Sequence, residues 1–119
     1  MVIEHHRGKI RWALGEAKSA GGEIDGKDME NMKSAADKLK KIGAHAYLIF
    51  AKTAESFTQK ETELFAATKK EGYPIILFTN KEIEPYNPYY NDNEQEHLPH
   101  RYVHSFDEMS RNSEFRYLT

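Results

Sequence analysis

Two short apolar segments, each preceded by a capped, helix-patterned stretch, constrain this chain more than anything else in it. His45 to Ala51 reads His-Ala-Tyr-Leu-Ile-Phe-Ala, nearly continuous in apolar residues. Tyr73 to Thr79 reads Tyr-Pro-Ile-Ile-Leu-Phe-Thr. Strands of this kind are covered on both faces, as in parallel sheets. Asp28 is read as the N-cap of the helix before the first, with Met29, Met32, Ala36, Leu39 and Ile42 at helical spacing as its buried stripe. Gly43 then ends that helix as a C′ residue. Thr58-Gln59-Lys60-Glu61 is a capping box opening the second helix, which carries Leu64, Phe65, Ala67 and Thr68 and ends near Gly72.

A hairpin precedes these units. Val2 to His5 is a short strand, His6-Arg7-Gly8-Lys9 a turn and Ile10 to Lys18 a second strand. Ile10, Trp12, Leu14, Glu16 and Lys18 share one face at period two, with Trp12 expected in the core. Ser19 to Gly26 is a loop. The order strand, strand, helix, strand, helix, strand implies an α/β fold: a mixed central β-sheet flanked by helices. Residues 1–79 form this core. Residues 80–119 read as a less regular C-terminal extension, packed on the core or appended to it. A second capping box there, Ser105-Phe106-Asp107-Glu108, predicts a short helix to about Tyr117.

Length and composition narrow the setting. At 119 residues the chain fits one domain. No apolar run approaches the roughly 20 residues that span a bilayer, and Met1-Val2-Ile3 leads straight into Glu4-His5-His6-Arg7 rather than a leader-like segment. The absence of cysteine excludes disulfides, a thiol nucleophile and Cys-based zinc sites. A cytoplasmic, membrane-free protein is expected. Net charge is −2, but residues 1–60 hold 11 Lys and Arg against 8 Asp and Glu, while residues 61–119 hold 6 against 11. A basic half carrying a local acidic group suits an enzyme that acts on a polyanion with a metal ion, although ordinary surface charge gives the same count.

The chemistry gathers at Gly15-Glu16-Ala17-Lys18. Glu16 and Lys18 are two apart on a strand, so both reach one site. A carboxylate binds Mg²⁺ as a hard oxygen ligand, and the Ala17 carbonyl offers another oxygen. An ammonium beside them can position water or offset charge building on a phosphate. A surface Glu-x-Lys is common, so the tripeptide gains weight only from the elements around it.

Those elements resemble the PD-(D/E)XK nuclease superfamily, the restriction-endonuclease-like fold. The resemblance spans residues 2–79. It rests on the hairpin ending in Gly-Glu-Ala-Lys, the helix Lys-Asp-Met-Glu-Asn-Met-Lys at 27–33 and the strand ending at Lys52. Archaeal Holliday-junction resolvases and restriction-enzyme-like domains of defence systems are similar in this order. The resemblance implies an endonuclease that hydrolyses DNA phosphodiester bonds with Mg²⁺ or Mn²⁺. Glu16 is then a metal ligand and Lys18 the catalytic lysine. The family's second carboxylate, an Asp on the preceding strand, has no counterpart before Asp25. Glu4 is the expected substitute, or an Asp lies upstream in a longer parent. The other expectation is a catalytically incomplete nuclease-fold module that binds nucleic acid or a partner protein, with Glu16 and Lys18 as a structural ion pair. DNA is the expected partner, and a homodimer is a further expectation.

Other residues carry weaker signals. Lys33 and Lys52 are candidate phosphate contacts. Lys33, Lys38, Lys40 and Lys41 offer a backbone-facing set, although a solvated helix face explains them as well. His97, His100 and His104 have a spacing that can suit a metal. Tyr86, Tyr89 and Tyr90 can stack on bases, but acidic neighbours favour packing.

Overall fold

The computed structural model describes residues 2–6, 9–83 and 106–113. Four strands form one sheet in the order β1-β2-β3-β4. They are β1 (Val2–His6), β2 (Lys9–Lys18), β3 (His45–Lys52) and β4 (Ile75–Phe78). β1 runs antiparallel to β2, and β2, β3 and β4 are mutually parallel, which gives the mixed sheet. Helix α1 (Gly26–Lys41) connects β2 to β3, and α2 (Gln59–Lys70) connects β3 to β4. Two short helices follow, α3 (Asn80–Ile83) and α4 (Phe106–Ser113).

Crossovers between parallel strands are right-handed in nearly every case, so two made in one direction put both helices on one face. The packing agrees. Met29, Met32 and Ala36 of α1 join Phe65 of α2 over Leu48, Phe50, Ile75 and Leu77 of the sheet. Leu14 of β2 packs against the same cluster, so Glu16 and Lys18 project on this helix-covered side, beyond its apolar part. The other face holds Ala13, Tyr47 and Ile76 under Phe106 of α4, with Met109 beside them. Tyr47 also anchors α4 by a polar route. Its hydroxyl donates to Asp107, and Arg11 pairs with the same carboxylate.

Several local expectations are corrected. The N-cap of α1 is Asp25, not Asp28. Asp25 accepts from the Asp28 amide at 2.9 Å, and the Asp28 carboxylate accepts from the Asp25 amide at 3.1 Å. The short Asp at the third helical position closes the box that glutamate usually closes. Ile42 is the C-cap and 77% exposed, because the helix ends before that residue can turn inward. In α2 the buried positions are Glu61, Phe65 and Thr68, whereas Ala67 is exposed. The histidines at 97, 100 and 104, the tyrosines at 86, 89 and 90, and the first residue of the Ser105–Glu108 box lie outside the described residues.

Candidate functional site

All three parallel strands end at one edge of the sheet, where open α/β folds place their ligands. Lys18 ends β2, Lys52 ends β3 and Thr79 follows β4. The helices α1 and α2 begin beside this edge, and both N-termini are capped from within the chain. Thr58 and Glu61 form the expected capping box of α2.

Glu16 and Lys18 meet here. The Lys18 ammonium lies 3.7 Å from Glu16 and 3.3 Å from Asp28, so it sits between two carboxylates. Its hydrogen bond to Asp28 raises its pKa above that of an ordinary lysine. Partial burial opposes the rise, and the charges of Asp28, Glu16 and Asp25 add to it. Asp25 is held below the usual carboxylate range, first by the Asp28 amide, with Lys18 contributing. The Lys18 stem is also packed. A Cβ added at Gly22 would meet the Lys18 Cβ at 3.1 Å, so glycine there lets the loop lie against the lysine.

The strand register sets Lys52 beside Lys18. Opposed positions on neighbouring strands share a face, so two lysines lie side by side. Their surroundings differ sharply. Lys52 is 4% exposed and bonded at 2.8 Å to Glu61, which is fully buried. The Glu61 carboxylate also accepts from the Ile24 amide at 2.8 Å and the Thr58 amide at 2.9 Å. Burial is the largest single influence on Glu61 and pushes its pKa up. The Ile24 amide, Lys52 and the Thr58 amide together outweigh it and hold the carboxyl below its usual value.

The remaining predicted residues stand elsewhere. Glu4 is opposite Arg11, not Glu16. Arg11 and Glu16 are roughly 16 Å apart along β2 at the usual strand rise. The register therefore does not bring Glu4 to the Glu16 end of the hairpin. Ala17 is opposite Ala51, next to Glu16 and Lys18. Lys33 is turned away from this edge. Its ammonium is held at 2.8 Å by Glu71, at the far end of α2, and at 3.1 Å by Glu30. Neither Lys33 nor Lys52 presents a free ammonium to a phosphate. Ion pairing with Glu71 and Glu30 accounts for Lys33, and burial against Glu61 for Lys52.

Among the described residues the donor set does not make up a complete metal centre. Among the described residues no group of three or more His, Asp or Glu side chains comes together. The two carboxylates that do converge, Glu16 and Asp28, face an ammonium. A divalent cation would have to share that space with Lys18. Asp28 and Glu61 are the members of this edge that sequence reasoning missed. The capping role of Glu61 is visible in the spacing, whereas Asp28 reads as the N-cap itself, and the lysine that each one holds depends on contacts between segments apart in sequence.

No protein-family model matches this chain, and neither a curated protein nor a solved structure matches it. No helix among the described residues is long and apolar enough to cross a membrane.

Proposed function

We propose that this chain is a catalytically incomplete module of nuclease-like architecture, which binds nucleic acid without hydrolysing it. The observation that carries this reading is the position of Lys18. Its ammonium is engaged by Asp28 and Glu16 rather than left to face a phosphate. A lysine balanced by two carboxylates is a structural ion pair at the edge of the sheet.

Nucleic acid is favoured as the partner by the outer face of α1. Lys27, Asn31, Ser34, Lys38 and Lys41 recur at helical spacing and all five are exposed. The line runs about 21 Å along the helix, with Glu30 and Asp37 flanking it on one side. Lysines, an amide and a hydroxyl are groups that position a phosphate backbone without reading sequence. Binding should be measured by fluorescence anisotropy on duplex, branched and single-stranded DNA, without divalent metal and at several salt concentrations. The reading predicts salt-dependent binding. Replacing Lys38 and Lys41 with alanine should reduce the salt slope by about 0.9 for each lost phosphate contact on duplex DNA. Absence of binding at low salt on all three DNAs would refute it.

The shared face of Glu16 and Lys18 at the carboxyl edge favours a second reading, an active Mg²⁺-dependent endonuclease. Glu16 and the Ala17 carbonyl would then hold the metal and Lys18 would lie beside the scissile phosphate. This reading needs another carboxylate, and since the register sets Glu4 opposite Arg11, a residue upstream of Met1 would have to supply it. Calorimetric titration with Mg²⁺ and Mn²⁺ separates the two, because only the second predicts binding that is lost in Glu16→Ala.

A further inference from the structure

Glu61 does more than cap α2. Its carboxylate joins three segments that converge on the sheet edge. One oxygen accepts from Ile24, in the loop between β2 and α1, at 2.8 Å. The other accepts from Lys52 at the end of β3 at 2.8 Å and from Thr58 at 2.9 Å. Ile24 is itself buried, at 2% exposure, and the next residue, Asp25, caps α1 and fixes Asp28. Asp28 in turn meets Lys18. A continuous path of short contacts thus runs from Glu61 to the Lys18 ammonium. A second path runs through the sheet. Lys52 is the register partner of Lys18, and strands are about 4.8 Å apart, so an unbalanced charge on Lys52 would act directly on Lys18.

We propose that Glu61 is the positioning residue of this edge: through the Ile24 amide it holds the loop that brings Asp28 to Lys18, and through Lys52 it cancels the charge that stands beside Lys18. It rests on the reading of Lys18 as a structural ion pair of this edge, and the geometry can be tested without any nucleic acid. Failure of DNA binding and failure of this inference are therefore separate results.

The test follows backbone amide hydrogen exchange at Ile24 and Asp28 by NMR. In Glu61→Gln the amide oxygen can still accept from Ile24, but the charge opposite Lys52 is gone. Both amides should exchange faster, while amides in the last turns of α1 should not change. The double variant Lys52→Met/Glu61→Gln removes both charges, and protection should recover part of the way. A loss of packing alone would not produce that recovery. Unchanged protection at Ile24 and Asp28 in folded Glu61→Gln overturns the proposal, and no recovery in the double variant overturns its charge component. If Glu61→Gln does not fold, the unaltered chain supplies the test. The Ile24 amide proton should shift in the same acid step as the Glu61 carboxyl carbon, and an Ile24 signal indifferent to that step overturns the inference.

Discussion

Replacing Lys52 with methionine removes one charge from the most deeply buried ion pair of the fold and leaves its partner in place. Glu61 is fully buried, so its carboxylate would keep only the Ile24 and Thr58 amides. Removing one partner of a buried pair typically costs about 3–5 kcal/mol, because the remaining charge is uncompensated. Met is similar in length to the lysine stem and keeps most of its packing, so the loss should fall near the lower end, at about 3 kcal/mol. Removing both charges by Lys52→Met/Glu61→Gln should cost less than Lys52→Met alone, since a neutral amide can still accept from the backbone. Urea denaturation followed by circular dichroism measures both variants, and an unchanged slope would show that midpoint shifts report stability. A cost below about 1 kcal/mol for Lys52→Met would refute the reasoning, since that is the range of exposed pairs. A double variant no more stable than Lys52→Met would refute it as well.

Further outcomes follow from other contacts. Glu61 has a folded-state pKa below its unfolded value, so it contributes stability that is fully present above the ordinary glutamate pKa of 4.5. That contribution should be lost as pH falls through the lower folded value, and acid denaturation of Glu61→Gln should lack this component. Gly22→Ala should force Lys18 or the loop to shift by a few tenths of an ångström, and lysine NMR should show Lys18 moving towards an ordinary pKa. Tyr47→Phe deletes the hydroxyl that donates to Asp107 and should cost about 1 kcal/mol, with faster hydrogen exchange confined to α4. Phe65→Ala should cost about 3–5 kcal/mol by urea denaturation, because Phe65 is fully buried and packs on both Phe50 and Phe57.

Much of the architecture was legible because it is local. The capping box at Thr58 and Glu61, the apolar run from His45 and the period-two face of Glu16 and Lys18 each depend on neighbours in sequence. These suffice for element types, their order and the mixed sheet. What was not legible depends on pairing. Glu4 looked close to Glu16 by strand position, yet the hairpin register sets it opposite Arg11. Lys52 reads as a candidate phosphate contact at a strand end, yet Glu61 is folded over it from the next helix. Asp28 reads as the N-cap, yet Asp25 holds that role, and Asp28 closes the capping box while also meeting Lys18. A one-residue or one-turn displacement changes none of the fold and nearly all of the charge arrangement.

The most direct test of the central claim is a binding and cleavage assay in one tube. End-labelled branched and duplex DNA would be incubated with the chain at low salt, with Mg²⁺ or Mn²⁺ added to half the samples. The account predicts a retarded complex in every sample and full-length DNA throughout. DNA cut only in the metal-containing samples, and not by Lys18→Ala, would contradict it and make this edge an active nuclease site.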